Sequence, residues 1–315
     1  MADTPRDILL FVAAYEERSF TAAALREGAT QSGVSQHIRK LEERFGARLF
    51  SREAGRVVPT PAADAYYNGC LNILRAHEAA ADTLRRHDGL QGEVAVGLMP
   101  TMTRCALTPA LAGFMDRHPN VTVRVVEAYS GSLTEQVRAG VLDFAVVPAF
   151  ADAAGLDCRA FASTPEVLVG ARTDARYHAV PTDLRTLGPL NLVVPERQNT
   201  RRLTIETYLA RNAIPVARMV ELDSMMGTLD LVANSGWVTI LPGVMMARDR
   251  TPGRFTINPL AAPPLSLDLV AIETRRRALS PAGRAFQDML RDATMQQGAV
   301  WTADHCSPPE EDATR

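Results

Sequence analysis

Between Thr30 and Gly46 the chain reads TQSGVSQHIRKLEERFG, a stretch that begins with amides and hydroxyls and ends in dense charge. On a helical wheel Val34, Ile38, Leu41 and Phe45 recur at spacings of four, three and four, which predicts one buried stripe. Gln31, Ser32, Ser35, Gln36 and Arg39 fall on the opposite side, with His37 at the flank. Amides and hydroxyls can exchange hydrogen bonds with base edges in a DNA major groove, while Arg39 and Lys40 can reach phosphates. Thr30 is a suitable N-cap for such a helix.

A second set of candidate binding residues lies in loops that follow predicted strands. Thr101, Met102 and Thr103 come after EVAVGLM, Ser130 after VTVRVVEA and Pro148 after DFAVV. Asn199 and Thr200 precede a predicted helix, and Asp223 follows ARMVEL. Hydroxyls and free backbone N–H groups at helix starts suit an anion such as a carboxylate, with Arg201 and Arg202 adding charge if either faces inward.

These residues need elements to hold them. Ser19 can cap a helix over residues 20–27, and Gly28 suits the left-handed position that ends it. With the helix at Thr30 this predicts a helix-turn-helix. The stretch LFSREAGRVVPTPA then places Arg52 and Arg56 on either side of Gly55, the composition of a small β-wing. Residues 39–56 hold Arg39, Lys40, Arg44, Arg48, Arg52 and Arg56 against Glu42, Glu43 and Glu53, a local basic excess in a chain of net charge −2.

A long helix is predicted from Pro61 to Arg86. Tyr66, Cys70, Ile73, His77, Ala80 and Leu84 recur along it as a heptad seam, which predicts pairing with a second copy. After a glycine-bearing break at residues 87–93, two βαβαβ units follow in tandem, predicting two α/β lobes with a ligand cleft between them. Domains are expected at residues 1–60, 61–88 and 91–298. Lobe I takes about 91–162 and 268–298, lobe II about 163–267, and residues 299–315 form a disordered tail.

At 315 residues the chain exceeds one ordinary core, and 46% apolar with 22% charged residues describes a globular protein. The run ILLFVAAY is too short to span a bilayer, so no membrane association is expected. Four scattered cysteines without a CxxC fit free thiols in the cytoplasm. GxSxG, GxGxxG, P-loop and clustered His/Cys patterns are absent, so neither catalysis, a metal nor a cofactor is expected.

The segments SFTAAA, TQSGVSQHIRKLEERFGARLFSR and VVPTPA resemble the N-terminal signature of the LysR-type transcriptional regulators, and LDFAVV and SGWVTILP extend the likeness. The resemblance implies an all-α winged helix-turn-helix, a dimerising linker helix and a two-lobed α/β effector domain of the periplasmic-binding-protein type. It implies base reading by Gln31, Ser32, Ser35 and Gln36, a phosphate contact at Arg39, and wing contacts at Arg52 and Arg56. The implied partners are promoter DNA, a small effector at Thr101, Thr103 and Ser130, and a second copy or a tetramer, with RNA polymerase left open. Three positions depart from the pattern. Gln36 stands where Arg is common, Ser32 and Gly33 replace Pro-Ala, and Glu27 occupies a usual core Leu, with Leu25 nearby. The last implies rotated packing of that helix. A cytoplasmic ligand-binding protein or enzyme with a fused helix-turn-helix is the alternative.

Overall fold

The computed structural model describes residues 4–53, 56–85, 89–151, 153–172, 178–197, 199–251 and 253–301. The side chains of residues 52, 53, 56, 78, 79 and 81–85 lie outside that description.

Three short helices open the chain, each started by a side-chain cap. Helix α1 (Pro5–Glu17) begins at a capping box of Thr4 with Asp7. Helix α2 (Phe20–Arg26) begins at Ser19, whose hydroxyl accepts from Ala22 N. Helix α3 (Gln31–Phe45) begins at Thr30, which accepts from Gly33 N, and stops at Gly46, whose φ of 62° few side chains tolerate. Phe11, Val12, Ala23, Ala24, Val34, Ile38 and Leu41 pack together as the core of this head. Strands β1 (Phe50–Glu53) and β2 (Arg56–Pro59) form an antiparallel hairpin beside α3. Helix α4 (Pro61–Arg85) then leaves the head.

The expected stripe on α3 ends one turn early. Phe45 is 47% exposed, and its ring lies 5.2 Å from Tyr66. Leu41 is the last position facing the core, because Phe50 of β1 fills the space beyond it. Leu25 points outward at 86% exposure, and Glu27 pairs with Arg26 and Arg276.

The heptad seam on α4 needs correction. Cys70 is buried against this chain's own head with Tyr67, Leu71 and Leu74, and Tyr66 packs there too. The helix must first cover the head's core, so its early seam positions face inward. Ile73, His77 and Ala80 are exposed. Leu84 lies outside the described side chains.

Two α/β lobes follow. In the first, β3 (Gly92–Leu98), β4 (Val121–Glu127) and β5 (Phe144–Pro148) run parallel, with α7 (Ser130–Arg138) between the last two. Between β3 and β4 lie α5 (Pro100–Met102), a π turn (Thr103–Leu107) and α6 (Thr108–Arg117). Pro109 has no N–H to return to the preceding turn, which accounts for the widened helix there.

In the second lobe, β7 (Leu190–Val194), α8 (Thr200–Arg211), β8 (Val216–Glu221), α9 (Met225–Ala233) and β9 (Val238–Pro242) repeat the order. The long strand β6 (Leu156–Ala171) belongs to both lobes. It pairs with β11 (Ser266–Thr274) as far as Pro165, then with β9 from Glu166 and with β10 (Phe255–Pro259) from Val167. Strand β11 pairs with β5 and so returns the chain to lobe I.

Helix α10 (Pro281–Gly298) packs Phe286 against Phe114 of lobe I at 5.1 Å. The next residues correct the expected tail. Ala299–Trp301 form a 3-10 turn, and the Trp301 indole is buried in the core of lobe II. A large indole gains too much from burial to trail in solvent. The remaining tail, residues 302–315, lies outside the described residues.

The head rests on lobe I through ion pairs. Arg276, just past β11, lies 3.1 Å from Glu16 and 3.4 Å from Glu27, and donates to the carbonyl of Arg138 at 2.8 Å. Arg75 of α4 pairs with Asp157 at 2.7 Å and donates to the carbonyl of Arg275. Among the described residues no helix is long and apolar enough to cross a membrane. No group of three or more side chains there could hold a metal ion.

Candidate nucleic-acid interface and interlobe cleft

Helix α3 is held from behind and bare in front. Val34, Ile38 and Leu41 anchor it to the head, while Gln31, Ser32, Gln36, Arg39 and Lys40 are exposed and Ser35 is half-buried. The Thr30 hydroxyl accepts from Gly33 N at 3.1 Å and lies 3.2 Å from the Ser32 hydroxyl. A Cβ at Gly33 would stand 3.0 Å from that Thr30 oxygen, so glycine gives the cap its room. Arg39 pairs with Glu43 at 3.4 Å, both largely in solvent, a contact too screened to hold Arg39 away from a phosphate.

The hairpin is fixed to α3 by a residue that charge counting assigns to the opposition. One Glu42 oxygen accepts from Leu49 N at 2.7 Å and Phe50 N at 3.1 Å. Thr60 closes the other end, donating its hydroxyl to the Arg48 carbonyl at 2.7 Å. Arg52 faces Val57 across the hairpin, and Arg56 faces Glu53. Their side chains, and Gly55 between them, lie outside the described residues.

The cleft between the lobes gathers residues from both. Thr101 lines it from lobe I, beside Met99, Pro100 and Tyr129. Asn199, Arg201, Leu222, Met225, Thr228 and Ile240 line it from lobe II. Its volume is about 30 Å³, the room of about one water. Two contacts close the mouth. The Ser130 hydroxyl lies 3.3 Å from that of Thr200, and the Tyr129 hydroxyl is hydrogen-bonded to Asp223.

Three expected cleft residues lie elsewhere. Met102 is fully buried in the lobe I core, because the short α5 turns it away from the cleft. Pro148 ends the buried strand β5 opposite Leu269 of β11. Thr103 is engaged locally, its hydroxyl bonding to the carbonyl of Pro100 and to Glu127.

Of the two arginines beside Asn199, one faces each way. Arg202, itself buried, turns away from the cleft to Glu206, Glu221 and the carbonyl of Pro195. Arg201 turns inward, but Glu166 of β6 already holds it. One guanidinium nitrogen lies 2.8 Å from each Glu166 oxygen and 3.2 Å from the Ile240 carbonyl. Glu166 was not among the expected site residues. The available signal was a lone acid inside an apolar strand, STPEVLVGA, where burial demands a partner. Thr228 was missed because it sits within a helix rather than in a loop.

Residues 87–295 match the family described as the LysR substrate binding domain, and residues 5–64 match the bacterial regulatory helix-turn-helix protein, lysR family. An uncharacterized HTH-type transcriptional regulator, YfeR of Shigella flexneri, is 26% identical over 288 residues, covering 91% of this chain and 93% of the relative. The fold resembles that of an OxyR from Corynebacterium glutamicum, with TM-score 0.58 at 20% identity over 96% of this chain and 97% of the other. It also resembles CbnR, solved with its target DNA, with TM-score 0.52 at 20% identity over 93% of this chain and 100% of that one.

Proposed function

The chain belongs to the LysR family of regulators, and from that membership we propose that α3 reads duplex DNA while a small molecule in the interlobe cleft alters the reading. Gln31, Ser32, Ser35 and Gln36 meet base edges in the major groove, and Arg39 meets a phosphate. The β1–β2 hairpin, with Arg52 and Arg56, lies along the neighbouring backbone. Two copies joined along the exposed part of α4, at Ile73, His77 and Ala80, present two such helices to a two-fold site.

One observation carries this reading. Among the described residues, the side of α3 left free of the head's core is the side with small polar side chains at its N-terminal end. A merely solvated helix gains nothing from that bareness, whereas a groove requires close backbone approach.

Selection of bound sequences from a random duplex pool tests it. Gln36→Ala is expected to lose preference at the bases it contacts, where a good amide pair contributes about 1–3 kcal/mol of discrimination. Arg39→Ala is expected to weaken all sequences alike and to reduce the salt slope by about one. A motif unchanged by Gln36→Ala would remove that residue from the reading face.

A further inference from the structure

We propose that the interlobe cleft takes a small uncharged molecule, one with an apolar body and an amide, ketone or alcohol edge, in place of the carboxylate that helix starts and nearby arginines suggest. The inference rests on the reading of the chain as an effector-controlled regulator and deepens it.

Charge is the first reason. Among the described residues Arg201 is the one arginine lining the cleft, and it is bidentate with Glu166, which is 2% exposed on the strand shared by both lobes. The pair is neutral. A carboxylate reaching Arg201 must share the guanidinium with a carboxylate that the strand holds in place. That leaves a net negative charge in a site with little water to screen it. The mouth adds to the difficulty, because Asp223 holds the Tyr129 hydroxyl there, with the Glu127 and Glu196 carboxylates close enough to act on the same phenol.

Two hydroxyls are the second reason, independent of charge. Thr101 on lobe I is 4% exposed and Thr228 on lobe II is 6% exposed, and both line the cleft. Among the described residues neither side chain has a hydrogen-bond partner. Neither hydroxyl oxygen is itself enclosed, so one on each wall stays open to a ligand's polar atom. A hydroxyl can donate or accept, which matches an amide, ketone or alcohol without requiring charge. Thr239, also on the wall, is excluded because its hydroxyl donates to the Val193 carbonyl at 3.0 Å.

Beyond Tyr129 and Asn199, the rest of the wall is apolar, with Met99, Pro100, Val194, Leu222, Met225 and Ile240. Two methionines make it adaptable in shape. With a volume of about 30 Å³ the cleft is shut, so a ligand must part the Ser130–Thr200 and Tyr129–Asp223 contacts as it binds.

The test uses matched pairs of equal shape on the full-length protein near pH 7: butanamide against butanoate, and benzamide against benzoate. Binding is followed by calorimetry and by the shift in melting temperature. At least one amide is expected to bind at least tenfold more tightly than its acid. Thr101→Val and Thr228→Val should each weaken that amide by about tenfold. Each should leave the melting temperature of the free protein unchanged, since neither hydroxyl has a protein partner to lose; a purely structural threonine would lower it. Glu166→Gln frees Arg201 and should move the preference toward the acid; if that variant fails to fold, the two threonine variants still decide. Tighter binding of either acid to the wild type, tighter binding of the matching amine, or silence from every amide overturns the proposal. A selected DNA motif, measured on the same preparation, separates the two readings. Its presence keeps the regulator standing whatever the cleft binds, and its absence removes the regulator itself.

Discussion

Glu42 and Glu166 both look like ordinary acids in the sequence, and both turn inward. Glu42 accepts two backbone N–H groups and joins the hairpin to α3, and Glu166 neutralises the arginine of the cleft. Neither role is visible in composition, because each depends on one partner's geometry. Tyr129 shows the same dependence in its ionisation. Burial first, then the charge and hydrogen bond of Asp223, push its phenol up to about 12 from 10.0. Burial and Asp64 likewise raise Tyr15 to about 12. A raised folded-state value means that the folded protein keeps a proton that the unfolded chain loses first. The resulting stability is complete below about pH 10 and falls as pH rises toward 12. Melting temperature against pH should therefore slope downward across that window, and less steeply in Tyr129→Phe. An identical slope in the variant would mean that the phenol ionises as freely folded as unfolded.

Among the elements, what repeats locally was legible and what crosses the chain was not. The caps at Ser19 and Thr30 and the two βαβαβ units follow from residues a few positions apart. The inward face of early α4 did not, since a heptad seam looks alike whether it covers a partner or its own head. The cleft was partly legible: loops after strands and a helix start pointed to Thr101 and Asn199, but not to the strand residue Glu166 or the helical Thr228. Helix α7 shows how close the packing is. A Cβ at Gly97 of β3 would lie 2.7 Å from Leu142 and 2.8 Å from Leu133 of α7. Gly97→Ala must displace that helix or strain the sheet, and should cost about 1–3 kcal/mol by overpacking. Urea unfolding checks this, and a midpoint equal to the wild type's would show that α7 slides freely.

For the whole molecule, the proposed function makes α7 the candidate link between ligand and DNA. Its first residue, Ser130, touches the other lobe at the cleft mouth, and the carbonyl of its last, Arg138, is held by Arg276. Nine helical residues span about 13 Å, so one rigid element reaches from the cleft to the docking surface of the head. There Arg276 also pairs with Glu16 at the end of α1 and Glu27 after α2. Under that proposal, parting the lobes moves Ser130, and a rigid α7 carries the movement to the contacts that orient the head. Arg276→Gln keeps length and polarity but leaves Glu16, Glu17 and Glu27 with Arg26 as their remaining cation in this cluster. The variant should keep its selected DNA motif and its ligand affinity, because neither site contains Arg276. What it should lose is the coupling, the change in DNA affinity on adding ligand, which for linked sites is typically about 5–150-fold. Titrating DNA with and without saturating ligand measures it directly. An undiminished ratio in Arg276→Gln would move the link elsewhere, to Arg75 and Asp157 at the base of α4.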